Sequence, residues 1–409
     1  MTSTVSSAST STSTSTSTST MAVPLSRSSL ATLLLATGVL LRFLLARSSR
    51  PSRHRILPPH TERVIIFGAS SGTGAAIAKQ YAVRGCKALV LVARRLEQLE
   101  EVKRECDALS QRNGNGLGKG GLAVLCVAAD CTKDTDVVHV RKVVLDQLGG
   151  IDTVHITLGV SALLPLLGIA GVDPVRPTIS PGSSSPNSQQ QTTHPSSFAL
   201  SSTYTAVNRA CTANLTSTAL LLTTFTPILQ LSSPAPAIHI LSSLAALFPA
   251  PTRALYGATK AAQLILAQGF ELETESQVGL QGELSASEGK RFRKKVSFVY
   301  LCPGTILSGF RQSAVDVPPA SSSSGGGNED ALRRAGVFDS TWDQGDGAGK
   351  KKKKSDGLRP EDVARRAIRL VDRQQGGVHT MKLFELVGRI AMVVAPWIPA
   401  RVAHKKYGY

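Results

Sequence analysis

Short apolar runs alternate with longer amphipathic stretches from Glu62 onward. The first run is VIIFGAS, and it is followed at later positions by ALVLVARR, LAVLCVAAD, IDTVHITLG, AIHILSS and KVSFVYLCPG. Between the first runs lie stretches with helical periodicity, AAIAKQYAVRG and EQLEEVKRECDAL. Strands that alternate with helices of this length are typical of a parallel sheet covered on both faces. The pattern therefore predicts an α/β fold with one doubly wound parallel sheet over residues 62–310.

Polar segments interrupt and flank this alternation. We predict polar surface insertions near 173–203 and 275–294, and a disordered basic insertion at 316–357 that contains a lysine run. Residues 1–29 form a Ser/Thr-rich tail that can bury little and is expected to be disordered. Residues 358–409 are predicted to form C-terminal helices. These helices lie on a membrane surface, cover a substrate cleft or pack as ordinary terminal helices.

An apolar run at residues 30–46, LATLLLATGVLLRFLLA, is interrupted only by Arg42. Its length is at the short limit for a helix that spans a bilayer. We favour an uncut membrane anchor, because the run is aliphatic and basic residues follow it at once. A mitochondrial presequence and a buried or surface helix are the alternatives. The positive-inside bias predicts a catalytic domain facing the cytosol, at the endoplasmic reticulum, with the mitochondrion as the alternative location.

The formal net charge of +18 is concentrated at the lysine run and in arginines beside the apolar run. Aromatic residues make up only 5% of the chain, whereas nucleic-acid readers usually interleave basic with aromatic residues. The charge therefore favours anionic lipid as a partner and argues against nucleic acid. Six scattered cysteines, without a Cys-x-x-Cys pair or a nearby histidine cluster, predict neither a metal site nor a disulfide framework.

The first apolar run leads into a glycine-rich turn that is followed directly by a helix. The candidate cofactor-binding residues of this turn are Gly68, Ser70, Ser71, Gly72, Thr73 and Gly74. Glycines at such a turn let a pyrophosphate approach the helix N-terminus, where free N–H groups and the helix dipole hold anions. The strand–turn–helix context predicts a Rossmann-type dinucleotide site.

The second apolar run ends in Arg94 and Arg95 rather than in an acidic residue. An acid at this position would bind both ribose hydroxyls and select NAD, whereas arginine accommodates a 2′-phosphate. We therefore predict NADP(H) as the cofactor, with Arg94 the better candidate. Asp130, at the end of the third run, is placed either to reach the adenine ring or to cap the next turn.

Ser243, Tyr256 and Lys260 are the candidate catalytic residues. Tyr256 and Lys260 are four residues apart and share one face of a predicted helix. A tyrosine with a reference pKa of ~10 is a poor acid–base catalyst at neutral pH, and a nearby ammonium lowers that barrier by favouring the phenolate. Lys260 can also bind the nicotinamide ribose. Ser243 ends the preceding strand, where its hydroxyl can hold a substrate carbonyl oxygen while Tyr256 transfers the proton.

These motifs resemble the short-chain dehydrogenase/reductase family. The SSLAA stretch and the Tyr-x-x-x-Lys motif are similar to its membrane-associated, hydroxysteroid-dehydrogenase-like branch, and the resemblance covers roughly residues 63–310 and the helix PEDVARRAIRLVDR. It implies that Asn214 holds a water and completes a catalytic tetrad, a role that Asn208 fits less well. It also implies cofactor contacts at Gly159, Pro303, Gly304 and Ile306, and Ser308 stands where the family often has threonine.

Two positions depart from the family's pattern. Phe67 stands where a threonine usually precedes the first glycine, and Ile156-Thr157-Leu158-Gly159 replaces an Asn-Asn-Ala-Gly stretch. The family's asparagines mainly stabilise the sheet and the adenine-side loop. The departure therefore concerns cofactor affinity more than the chemical step, and Thr157 can replace one hydrogen bond.

The sequence thus predicts an NADP(H)-dependent oxidoreductase that reduces a carbonyl of a lipophilic small molecule or oxidises the matching secondary alcohol. A homodimer is one expected assembly. The alternative from another class is a nucleotide-binding membrane scaffold or sensor with little catalysis. A reductase of lipid intermediates, such as a keto-sphingoid or acyl-dihydroxyacetone reductase, is a third interpretation. The sequence leaves the substrate, the direction of the reaction and the organelle open.

Overall fold

The computed structural model describes residues 52–113, 121–175, 194–284, 289–316 and 357–382, with most positions of 385–407. All of these lie within the unit Pro51–Tyr409. The predicted Ser/Thr-rich tail and the predicted anchor at 30–46 lie outside the described residues. The same holds for the lysine run and for nearly all of the predicted basic insertion.

The strands of the described residues form one large parallel sheet and one short antiparallel pair. In chain order they are β1 (Arg63–Phe67), β2 (Ala88–Ala93), β3 (Ala123–Ala128), β4 (Thr153–Ile156), β5 (Ala237–Leu241), β6 (Gln281–Gly282), β7 (Arg291–Phe292), β8 (Ser297–Cys302) and β9 (Gly377–Thr380). The large sheet has the order β3-β2-β1-β4-β5-β8-β9, and β6 pairs with β7. The prediction of a Rossmann-type α/β fold is confirmed.

Helices cover both faces of the large sheet. In chain order they are α1 (Gly72–Arg84), α2 (Leu96–Arg112), α3 (Asp134–Leu148), α4 (Leu166–Ile169), α5 (Ser197–Cys211), α6 (Ser217–Ser232), α7 (Ala254–Glu275), α8 (Pro360–Asp372) and α9 (Trp397–Tyr407). One apolar layer joins α1, α2 and α8 to the sheet, and the other joins α3, α6 and α7 to it. Because both faces are covered, the central strands are almost continuously apolar.

The strand order reverses between β1 and β4, which are neighbours in the sheet although two strands separate them in the chain. A crevice opens at such a point beyond the carboxyl ends of the strands, and ligands bind there in open α/β sheets. The glycine-rich turn follows β1, and Gly159 lies just beyond the end of β4. The fold therefore brings these two segments to the same edge of the sheet.

Two segments differ from the boundaries predicted by sequence. Helix α5 begins at Ser197, inside the predicted insertion 173–203, because the Ser196 hydroxyl caps it by accepting from the Ala199 N–H at 3.2 Å. Strand β9 and helix α8 lie beyond the predicted end of the Rossmann domain at 310, yet both pack into the sheet assembly. The start of α5 was not predicted, because the serines and threonines of this segment are also typical of loops.

One described helical stretch, Ser197–Ser232, is long and apolar enough to cross a bilayer by length and composition. Of the most apolar window within this stretch, 56% is buried inside the protein. A core helix passes the same test, so this stretch is weak support for a membrane span.

Candidate active site

The glycine-rich turn between β1 and α1 brings the backbone into very close contact. Gly68 has a φ of +87°, and a Cβ atom at this position would lie 2.8 Å from the Leu158 backbone nitrogen. A Cβ atom at Gly74 would lie 2.1 Å from the Gly68 carbonyl oxygen. Ser71 occupies the N-cap of α1, and its side chain makes no capping hydrogen bond. The first N–H groups of α1 can therefore donate hydrogen bonds to an anion, and the turn fits a dinucleotide pyrophosphate.

The residues predicted for the adenosine half lie after β2 and β3. Arg94 and Arg95 are both exposed, and Arg95 occupies the N-cap of α2. The Asp130 carboxylate accepts from the Thr132 N–H at 3.1 Å and from the Thr132 hydroxyl at 2.8 Å. Asp130 thus stabilises the turn before α3, which is the structural one of the two roles that the sequence offered.

The catalytic candidates meet where β5 ends and α7 begins. Ser243 follows β5, and its hydroxyl accepts from the Ala245 N–H at 3.1 Å. Tyr256 and Lys260 lie in the first two turns of α7, and the Ser243 hydroxyl lies near the Tyr256 phenol. The structure therefore brings together the two hydroxyl groups that the sequence predicted for a carbonyl oxygen.

Burial raises the pKa of Tyr256 to about 12, while the nearby Ser243 hydroxyl and the charge of Arg253 act in the opposite direction. The sequence had led us to expect a phenol pKa lowered by Lys260. The structure differs because the Lys260 ammonium donates to the Leu241 carbonyl at 3.2 Å and to the Gln263 amide oxygen at 3.0 Å. Tyr256 is therefore held as the neutral phenol, the form that gives a proton to a carbonyl oxygen.

A buried chain of hydrogen bonds connects Lys260 to Asn214. Beyond the Lys260–Gln263 bond, the Gln263 amide donates to the Thr218 hydroxyl at 2.7 Å, and this hydroxyl donates to the backbone carbonyl of Asn214 at 2.9 Å. All three hydrogen bonds run in the same direction, from Lys260 towards Asn214. They fix the position of the Lys260 ammonium. The sequence prediction missed Gln263 and Thr218. The available signal was a glutamine three residues after Lys260 in an otherwise apolar helical stretch.

Asn214 lies in a π-helical turn, Thr212–Thr216, between α5 and α6. Such turns occur frequently at functional sites. Its side chain is fully buried: the oxygen accepts from the Val160 N–H at 2.8 Å, and the nitrogen donates to the Thr259 hydroxyl at 3.0 Å. Asn208, the weaker candidate, is exposed on α5. The structure thus brings Asn214, and not Asn208, into the buried network.

Gly159 lies close to both the Asn214 and the Lys260 side chains. A Cβ atom at this position would lie 2.9 Å from the Asn214 side-chain oxygen and 3.3 Å from the Lys260 ammonium. A larger residue would therefore push the two groups apart. Thr157, two residues earlier, donates its hydroxyl to the Phe67 carbonyl at 2.8 Å, which is the replacement hydrogen bond that the sequence suggested.

The segment after β8 closes the site from the other side. The Pro303 carbonyl accepts from the Leu244 N–H at 2.9 Å, and Gly304 lies close to the Leu244 side chain. Ile306 bridges to Leu358, just before α8. These contacts bring the predicted residues Pro303 and Gly304 beside the loop that carries Ser243, while Ile306 lies against the segment before α8.

A surface cleft of about 660 Å³ lies beside the catalytic helix. Its walls are the loop after Ser243, the start of α7 and the C-terminal segment, with Met392, Ala400 and His404 among the lining residues. The α7 residues that line it are Ala254, Gly257, Ala258 and Ala261. On a helix these positions lie opposite Tyr256 and Lys260, so the cleft adjoins the candidate catalytic residues without containing them.

Comparisons with known proteins agree with the fold. The family model described as short chain dehydrogenase matches residues 62–175. A dehydrogenase/reductase SDR family protein 7-like from Dictyostelium discoideum is 68% identical over 40 residues, which are 10% of this chain and 12% of that protein. An 11-beta-hydroxysteroid dehydrogenase from Pinus massoniana is 39% identical over 89 residues, which are 22% of each chain. The chain thus spans less than a quarter of the length of these two relatives.

A solved short chain dehydrogenase/reductase from Burkholderia phymatum, in complex with NAD, is similar to this chain with a TM-score of 0.52. It is 18% identical, and the alignment covers 83% of this chain and 95% of that chain. At this identity the likeness shows the fold.

Proposed function

We propose that the chain is a member of the short-chain dehydrogenase/reductase family, whose model matches residues 62–175, and that it is an NADP(H)-dependent carbonyl reductase. In the reverse direction it would oxidise the matching secondary alcohol. The observation that carries the proposal is the half-buried Tyr256 phenol, which lies near the Ser243 hydroxyl and one turn before Lys260. Ser243, Tyr256, Lys260 and Asn214 form the proposed catalytic set.

In this mechanism the Ser243 and Tyr256 hydroxyls hold the carbonyl oxygen of the substrate. A bound nicotinamide supplies the hydride. Tyr256 donates its phenolic proton to the oxygen as negative charge develops there, and its raised pKa keeps that proton in place at neutral pH. Lys260, fixed by Leu241 and Gln263, supplies the positive charge behind the phenol. Asn214 anchors the far end of the same network.

Arg94 and Arg95 support NADP(H) as the cofactor. Their exposed guanidinium groups follow β2, where a carboxylate would favour the unphosphorylated ribose. We assign the pyrophosphate to the turn Gly68–Gly74, with Ser70, Ser71, Gly72 and Thr73 along it. We assign the nicotinamide end to Gly159, Pro303, Gly304 and Ile306. The turn that Asp130 stabilises forms the edge of the adenine side.

The surroundings of Tyr256 support a lipophilic substrate. Its ring lies edge-on to the Phe310 ring, with centroids 5.9 Å apart. Tyr256 and Val315 also pack against a buried cluster that includes Ala162 and Leu255. An apolar substrate would bury its surface against these side chains at little polar cost.

Membrane attachment is the cellular part of the proposal. The apolar run at 30–46 supports an anchor, and the exposed Trp397, Ile398 and Val402 of α9 support contact with a lipid surface. We propose the endoplasmic reticulum membrane, with the catalytic domain in the cytosol. Separation of the full-length protein into membrane and soluble fractions, with and without residues 30–46, tests this. Recovery of the full-length protein in the soluble fraction would remove the membrane from the proposal.

The chemical proposal is tested by NADPH oxidation against a panel of ketones and aldehydes. Replacing Tyr256 by phenylalanine removes the proton donor, so turnover should fall by about 10²–10⁴-fold while NADPH binding is retained. Tyr204→Phe is the matched control, because Tyr204 is an exposed tyrosine on α5 and should leave turnover unchanged. Nucleotide binding without any turnover that depends on Tyr256 would instead favour the membrane scaffold or sensor.

A further inference from the structure

Residues 305–316, which we call the strap, cross the mouth of the site after β8. The strap starts at a fixed point, since the Leu307 N–H donates to the Leu358 carbonyl at 2.9 Å and the Leu358 N–H donates to the Thr305 carbonyl at 2.8 Å. A short 3-10 turn, Gly309–Ser313, forms its middle. The strap is therefore an ordered part of the fold with its own hydrogen bonds.

The strap contacts the cofactor side, the catalytic tyrosine and the loop after β4 in turn. Ser308 lies near the glycine-rich turn, because a Cβ atom at Gly72 would be 3.6 Å from the Ser308 Cβ. Phe310 then lies edge-on to Tyr256. Farther along, the Val315 N–H donates to the Ser161 carbonyl at 3.0 Å. The strap thus spans the site from the pyrophosphate turn to the β4 loop.

The end of the strap is fixed by the carboxylate of Asp316. This side chain is buried, and one of its oxygens accepts from the backbone N–H groups of both Leu163 and Leu164 at 2.7 Å. These are short bonds to a carboxylate, which are stronger than bonds between neutral groups. Burial raises the pKa of Asp316, while the bonds from Leu164 and Leu163 and the charge of Arg253 act in the opposite direction.

The other Asp316 oxygen, Oδ1, is buried without a hydrogen-bond partner among the described residues. Burying a carboxylate with half of its acceptors unused is costly, and an apolar residue would pack there without that cost. The arrangement is therefore poorly explained as a device for stability alone. It is well explained as a specific bond between the strap and the β4 loop.

We propose that Asp316 is a positioning residue that fixes the strap to the β4 loop and so holds Phe310 against Tyr256. The inference rests on the proposed carbonyl reductase function and deepens it. By holding Phe310 in place, Asp316 sets the width of the substrate site beside the phenol and keeps water from its proton. Asp316 itself contacts backbone amides and acts on the reaction only through Phe310.

Asp316→Asn tests the proposal, because the one side-chain oxygen that remains is neutral, so the bonds from the Leu163 and Leu164 N–H groups lose their charge assistance. We expect kcat/KM for the preferred substrate to fall by about 10- to 100-fold, since small misplacements at a site have effects of this size. The change should appear mainly in KM and in a relaxed preference for bulkier ketones, while the Kd for NADPH stays unchanged. Asp173→Asn is the matched control, because Asp173 is also buried and accepts from a backbone N–H, that of Val175, which is not part of the strap.

A double-mutant cycle with Phe310→Leu separates positioning from general destabilisation. If Asp316 acts through Phe310, the double variant should be no worse than Phe310→Leu alone. Multiplicative effects of the two changes, or an effect of Asp173→Asn equal to that of Asp316→Asn, would overturn the proposal.

Hydrogen exchange at the Leu163 and Leu164 amides gives a readout that needs no turnover. Losing charge-assisted bonds should speed exchange at these two amides by about tenfold or more in Asp316→Asn. Unchanged exchange there would overturn the inference. A wild-type protein with protected amides but no reductase activity would count against the proposed function instead, while leaving the bond between Asp316 and the β4 loop in place.

Discussion

Lys260 shows how a single residue is set up for its role. Two of its three N–H groups are used by Leu241 and Gln263, so one is left for a ligand or water. Burial lowers the pKa of Lys260 to about 8, because the buried ammonium has no carboxylate beside it among the described residues. The lysine is therefore charged at neutral pH but close to losing its proton.

This lowered pKa leads to a prediction for the pH dependence of catalysis. The charged form exists below the pKa, so kcat/KM for NADPH should decline as pH rises through about 8. Arginine at this position stays protonated, since its reference pKa is above ~12. In Lys260→Arg, activity should be lower but without that decline, as measured by initial rates from pH 6 to 10. The same decline in Lys260→Arg would assign it to another group.

At the scale of the element, the turn from β1 to α1 depends on two glycines that contact each other. A side chain at Gly74 has no space, because the atom it meets is the backbone oxygen of Gly68. Backbone atoms cannot rotate away as a flexible side chain can. The close contact of the two glycines therefore sets both the shape of the turn and the position of the first N–H groups of α1.

Gly74→Ala should weaken NADPH binding by more than tenfold and destabilise the protein by about 1–3 kcal/mol, as overpacking does. Titration calorimetry and thermal unfolding measure the two effects. Gly269→Ala is the control, because a Cβ atom there meets nothing within 4 Å and Gly269 lies inside α7. The control should gain about 0.5–1 kcal/mol of stability from helix propensity. Normal NADPH affinity in Gly74→Ala would contradict the assignment of the pyrophosphate to this turn.

At the scale of the whole molecule, Arg53 joins the segment before β1 to the centre of the sheet. Its buried guanidinium donates to Glu62, to Thr153, and to the carbonyls of Ala235 and Asp152. The farthest of these partners along the chain, Ala235, lies 182 residues from Arg53. Arg53 therefore holds together the amino ends of the central strands β1, β4 and β5, opposite the candidate active site.

Arg53→Met should destabilise the protein by about 3–5 kcal/mol, because it removes one partner of a buried ion pair and leaves carbonyl groups unpaired. Arg84 still pairs with Glu62, which limits the loss. Lys295→Met is the matched control, since the Lys295–Glu275 pair is exposed and should change stability by less than about 0.5 kcal/mol. Urea unfolding measures both, and equal losses would refute the structural role assigned to Arg53.

The sequence determined the fold class and the elements that carry the site. Apolar runs, the Gly68–Gly74 turn and the Tyr256–Lys260 spacing are local signals, and local periodicity and spacing can be read from a single chain. The start of α5 and the strand β9 were missed. Hydroxyl-rich helices resemble loops in composition, and a four-residue edge strand has too little periodicity to be recognised.

Only the tertiary structure decided how the site residues act on one another. The direction of the Tyr256 pKa depends on burial, and the chain through Gln263 and Thr218 depends on how α6 packs against α7. The Asp316 bond to the β4 loop joins residues 153 positions apart. Burial and long-range hydrogen bonds exist only after distant segments meet, so no local pattern in the sequence contains them.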